Sequence, residues 1–98
     1  MSMSLSPLDI DLGLSSPCDL NVFWACASAA GRGRAERQIA EVLRARYTPG
    51  GQVRRTLHEC AALWKVSDGR AHAIITRALR RMQHPEYVRQ YNRRNGNV

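Results

Sequence analysis

Lysine is almost missing from this chain: Lys65 stands alone among the 15 Lys+Arg residues, and the rest are arginines. Arginine forms planar bidentate contacts to phosphate or guanine; a high-GC genome produces the same bias for a blander reason. No apolar run is long enough to cross a bilayer, so no membrane span is expected. The three cysteines, Cys18, Cys26 and Cys60, are an odd number without CxxC spacing, which leaves no disulfide framework. Nor do they combine with His58, His72 and His84 in a zinc-binding C-x(2–4)-C or H-x(3–5)-H pattern, so no metal is expected. Neither GxSxG nor GxxxxGK[ST] occurs, the eight Asp+Glu residues are scattered, and Ser15 and Ser16 sit in a turn-like context. An enzyme is not expected, and no cofactor is implied. The first residues, MSMSLSPLDIDLG, lack the charged start of a secretory signal and the arginines of a transit peptide. A reduced, cytoplasmic protein is the expectation.

What is present is basic and unevenly placed. Residues 1–31 hold Asp9, Asp11 and Asp19 and no Lys or Arg, a net of −3; residues 32–98 hold all 15 basic residues against five acids, a net of +10. Such a body attracts phosphate backbones and should lose affinity steeply as salt rises. A solvated face, or an acidic protein partner, would account for the same charge. Ninety-eight residues allow one small domain with a modest core.

Along the chain, residues 1–18 read as a flexible acidic arm. Ser6-Pro7 and Ser16-Pro17 discourage helix before each proline, and the near-alternation of Leu5, Leu8, Ile10, Leu12 and Leu14 permits a strand or a segment that docks on a partner. A helical domain follows over 19–90. Asp19 can cap a first helix through LNVFWACASAA, with Val22, Phe23, Cys26 and Ala30 on its apolar face, before Gly31, Arg32 and Gly33 break it. The Gly31–Arg34 GRGR element reads as a linker that can touch nucleic acid. Phe23 and Trp24 are expected in the core. A second helix is predicted over about 35–47, burying Ile39, Val42, Leu43 and either Tyr47 or the stem of Arg46, and Thr48-Pro49-Gly50-Gly51 stops it. The basic C-terminal end, YVRQYNRRNGNV, can add one or two helical turns before it frays, and residues 91–98 form a basic tail.

The densest signal is residues 56–84. Thr56 and Glu59 have capping-box spacing, so a helix should start at Leu57; Leu57, Cys60, Ala61 and Trp64 share one face, and small Ala61 admits a close neighbour. Ser67 supplies a second N-cap. Ala71, Ile74, Ile75, Ala78, Leu79 and Met82 then recur with helical period until Pro85. This is the outline of a helix-turn-helix. With four helices and no convincing strand, the predicted fold is all-α.

From about residue 37 to residue 85 the chain resembles region 4, the C-terminal DNA-binding region of bacterial sigma-70-type factors. The resemblance lies in LRARY (43–47), RTLHECA (55–61), KVSDGR (65–70) and RALRRMQHP (77–85). Members of that family typically show a hydrophobic-basic helix ending in an aromatic residue, then TLEE, a VT or VS cap, and an ending close to ALRKLRHP. The resemblance implies that the helix after Ser67 enters the major groove of double-stranded DNA and reads the upstream promoter hexamer with its first two turns. Those positions here are Asp68, Gly69, His72 and Ala73, where the family more often has Arg, Glu, Arg or Lys, and Gln. The bidentate base-reading side chains are therefore missing.

Two functions follow from this frame. In the first, Ser67, Asp68, Arg70, His72, Thr76, Arg77, Arg80 and Arg81 form a DNA-binding surface. Arg70, Arg77, Arg80 and Arg81 meet phosphates while His72 and Asp68 face the bases. In the second, the fold is a mimic that engages bacterial RNA polymerase or a sigma-interacting protein, as an antiterminator or inhibitor, without specific DNA reading. No counterpart of a promoter-melting region is present, so a small regulator of the kind phages encode fits better than a complete sigma factor.

Overall fold

The computed structural model describes residues 4–30, 39–94 and 96. Among these the chain is all-helical, with α1 (Pro7–Asp11), α2 (Leu20–Ala30), α3 (Ile39–Arg46), α4 (Leu57–Trp64), α5 (Asp68–Met82) and α6 (Pro85–Arg94). The only extended pairing among them is an isolated antiparallel bridge between Tyr47 and Val53. Helix α5 packs against α3, α4 and α6, and α2 packs against α3 and α6. The GRGR element and the predicted helix start at Ala35 lie outside the described residues.

The predicted caps form. Thr56 Oγ1 accepts the Glu59 N–H at 3.2 Å while Glu59 Oε1 accepts the Thr56 N–H at 2.9 Å, which starts α4 at Leu57. Asp19 Oδ1 accepts the Val22 N–H at 3.2 Å at the start of α2. Cys60, Ala61 and Trp64 of α4 and Ala71, Ile75, Ala78 and Met82 of α5 are buried; Leu57, Ile74 and Leu79 are partly buried against them. Ala61, Ala71 and Ala78 put little between the backbones, so the helices approach closely. Phe23 is buried as expected. Trp24 is only half-buried, its ring edge-on to Phe23 with centroids 5.1 Å apart and its Nε1–H donating to Pro49 O at 3.1 Å.

The acidic arm is corrected. Its described part is neither a strand nor detached: residues 7–11 are helical, and Leu8 and Leu12 join the core at 0% and 8% exposure. Ser6-Pro7 is a helix start here, with Ser6 as N-cap and Pro7 at the first helical position, where its missing N–H costs nothing. The far end closes as a Schellman motif: Gly13, at φ 74°, donates to Ile10 O at 2.9 Å and Leu14 donates to Asp9 O at 3.0 Å. The basic C-terminal end, expected to add one or two helical turns, does so as α6, which begins at Pro85 and continues past the expected domain limit at residue 90 to Arg94. Tyr91 holds it, accepting the Asp19 N–H on its hydroxyl at 2.7 Å. These two helices take the described total from the expected four to six.

Asp9 anchors the arm. It is 3% exposed and accepts the Ser6 N–H at 3.0 Å, the Ser6 hydroxyl at 2.9 Å and the Cys18 N–H at 3.2 Å. Burial by itself raises its pKa, but the Ser6 and Cys18 hydrogen bonds more than offset this and hold the carboxyl below its ordinary 3.8. The turn after α3 supplies the seat. Gly51 O accepts the Leu8 N–H at 3.0 Å, and Gly51 itself has φ 83°, with space so tight that a Cβ would stand 2.6 Å from Ser6 Oγ. Buried Tyr47 donates its hydroxyl to Asp11; burial first, then Asp11, pushes the phenol pKa up.

Two outcomes are expected. The folded chain binds the Asp9 proton more weakly than the unfolded chain, so this carboxylate's contribution to stability is complete above 3.8 and is lost as pH falls through the lower folded value. Thermal unfolding should show a drop below that pH that flattens in Asp9→Asn. In urea titrations Gly51→Ala, which adds a clash to an unfavourable φ, should cost about 1–3 kcal/mol. Gly13→Ala should cost less, since nothing lies within 4 Å of its added Cβ.

Candidate nucleic-acid interface

Helix α5 is built with two opposite surfaces. Its 71/75/78/82 stripe faces inward, so positions 72, 73, 76, 77, 80 and 81 are turned outward by helical period. Thr76 is half-buried and the others are exposed. With His84 they line a shallow depression of about 400 Å³. His72, Thr76, Arg80 and His84 form one i, i+4 row and Ala73, Arg77 and Arg81 the adjacent one. None of these lining residues is acidic. The small Ala73 side chain leaves the hollow open toward the N-terminal half of the helix.

The structure therefore gathers five of the eight expected DNA-binding residues, His72, Thr76, Arg77, Arg80 and Arg81, at one depression. The other three stand at the start of α5. Ser67 is spent on structure, its Oγ accepting the Arg70 N–H at 3.2 Å as the N-cap. Arg70 is exposed and outside the depression. Asp68 is occupied by His58 of α4, whose Nδ1 lies 3.1 Å from Oδ1 and 3.3 Å from Oδ2. The turn between α4 and α5 is short: Lys65 takes the left-handed conformation, φ 57°, and Val66 donates to Ala61 O at 3.0 Å. That turn fixes the crossing of α4 over α5 and brings His58 beside Asp68.

Three residues of this region were not in the expected set. His84 belongs to the depression, and its place four residues after Arg80 was a readable signal. His58 reaches Asp68 across ten positions, for which no sequence pattern exists. Arg46 lines an adjoining depression of about 340 Å³ with Asp11, Tyr47, His72, Thr76 and Arg80. Its Nη1 donates to Arg55 O at 2.6 Å, while its buried Nε has no partner.

A different surface lies between α1, α2, α5 and α6. Leu12, Leu14, Phe23, Met82, Tyr87, Val88 and Tyr91, with Cys18, Gln83 and Asn92, line an apolar cleft of about 320 Å³. Leu14 and Val88 remain exposed beside it. The Cys18 thiol is pushed up to about 12, by burial first and then by Asp9, and burial also raises Cys26 and Cys60. These thiols are poor nucleophiles at neutral pH. Among the described residues no group of three or more His, Cys, Asp or Glu side chains comes together in a way that could hold a metal ion, and no helix is long and apolar enough to cross a membrane.

Compared with protein-family models, with curated proteins and with solved structures, the chain finds no match.

Proposed function

We propose that the chain is a DNA-binding transcription regulator in which α4, the Lys65 turn and α5 act as a region-4-like helix-turn-helix, working together with bacterial RNA polymerase. The observation that carries this reading is the double row on the outer face of α5, where arginines and histidines surround a depression with no acidic lining residue. From His72 to Arg80 the row is about 12 Å long at the helical rise, enough to span neighbouring phosphates along one groove edge. Arg77, Arg80 and Arg81 supply charge and hydrogen-bond donors that position the helix on the duplex, and phosphate contacts of this sort carry no sequence information. Helix-turn-helix docking places the N-terminal residues of the second helix at the base edges. In this chain Asp68, Gly69, His72 and Ala73 hold that place.

A second reading is favoured by the apolar cleft, which shares no residue with the arginine depression. A protein partner such as RNA polymerase, or a sigma-interacting protein, can bury an apolar side chain among Leu14, Met82, Tyr87 and Val88. The domain then acts as a mimic, an antiterminator or inhibitor, without choosing a DNA sequence. The two surfaces also permit both contacts at once, which is how a passenger of polymerase would work.

Replacing Arg80 and Arg81 together with Ala should weaken binding to all duplexes alike and reduce the slope of log affinity against log salt by up to about 2 units. Both side chains are exposed, so the helical signal in circular dichroism should persist; unchanged duplex affinity would remove the DNA reading. For the mimic, polymerase captured from a bacterial lysate should stay bound after nuclease treatment and be lost with Val88→Asp. Release of polymerase by nuclease alone would count against it.

A further inference from the structure

We infer that Asp68, oriented by His58, is the base-reading group of α5 and selects cytosine through its exocyclic amine. The inference rests on the DNA reading above and specifies what that site recognises. Of the four residues at the reading end, Gly69 and Ala73 have no side-chain polar atom, and His72 lies among the arginines of the depression. Asp68 is the remaining polar group. Its side chain is 58% exposed, and it is an acid on a helix whose outer face otherwise attracts phosphate. A carboxylate there weakens non-specific binding.

An acid in the first turn of α5 suits the helix dipole, and its pairing with His58 adds a preferred direction. Ser67 already caps α5, yet His58, from a different helix, holds both carboxylate oxygens at 3.1 and 3.3 Å. That contact favours one direction of the carboxylate. It also leaves lone pairs on each oxygen, because an ionised carboxylate has about four acceptor positions. Gly69 adds an independent sign. Glycine inside a helix costs about 0.5–1 kcal/mol relative to alanine, and nothing lies within 4 Å of the place a Cβ would occupy. The chain itself does not require the missing side chain, and its absence leaves room for another molecule beside Asp68.

Major-groove chemistry then selects the base. Guanine presents only acceptors, N7 and O6, and thymine presents the O4 acceptor, so both repel a carboxylate. Adenine offers its N6 amine next to the N7 acceptor, which opposes the second carboxylate oxygen. Cytosine offers the N4 amine with no adjoining acceptor on the same edge. His58 is a positioning residue in this scheme, since it touches Asp68 and not the base.

Selection from a randomised duplex library, followed by affinity measurements on single-base variants, tests the inference. The wild-type chain should enrich cytosine at one position and bind duplexes altered there about tenfold or more weakly. Asp68→Ala should erase that preference while raising affinity for random duplex, since the repelling carboxylate is gone, and Asp68→Asn should move it toward adenine. His58→Ala should reduce the cytosine preference several-fold with an unchanged salt slope, and His58→Gln, which retains an N–H donor, should restore part of it. Enrichment of the same motif by wild type and Asp68→Ala would overturn the inference while leaving duplex binding intact. A wild-type chain with no salt-dependent duplex binding would overturn this inference together with the DNA reading.

Discussion

The close approach of Ser6 to Gly51 governs how the rest of the molecule is assembled. With no Cβ at Gly51, the turn after α3 takes φ 83° and accepts the first helix against it. Leu8 then bonds to Gly51 O and enters the core. Asp9 ties Ser6 to Cys18, setting where the chain leaves toward α2, and Tyr47 reaches Asp11 from the end of α3. The N-terminal segment is thus a wall of the domain. The acid-rich end of the chain is fastened beside the basic helix α5, with Asp11 lining the adjoining depression that also contains His72 and Arg80.

Helix α5 takes two roles because helical period separates them. Its small and apolar residues let α3 and α4 come close, and its opposite side is free to carry arginine. Arg80 and Arg81 in the last turn also face the negative end of the helix dipole, so part of the basic character stabilises the helix irrespective of any ligand. That effect reaches only the last turn. It does not explain His72 and Arg77 farther back, where the row continues.

The parts legible in the sequence were those with local causes. Thr56 with Glu59, and Ser67 after Val66, fix helix starts through contacts three residues apart, and the 71/75/78/82 stripe follows from period alone. The first helix was hidden because Ser-Pro has two meanings: it disfavours helix before the proline and favours helix from the proline onward. Ser6 and Asp9 form a local capping box that favours the second meaning, and the remote Gly51 carbonyl and Cys18 N–H complete α1. The outer row of α5 could be anticipated, and the i+4 spacing extends it to His84, which the short link to α6 keeps in line. The His58 contact to Asp68 depends on how α4 crosses α5, which no spacing in the chain encodes.

His84 belongs to two neighbourhoods. Its ring borders the arginine depression, and its Nδ1 accepts the Glu86 N–H at 3.2 Å at the start of α6, with Tyr87 of the apolar cleft 6.1 Å away, ring to ring. One ring thus serves both as a wall of the basic hollow and as the hydrogen-bond acceptor that seats the first turn of α6, so a substitution at His84 would disturb both surfaces together.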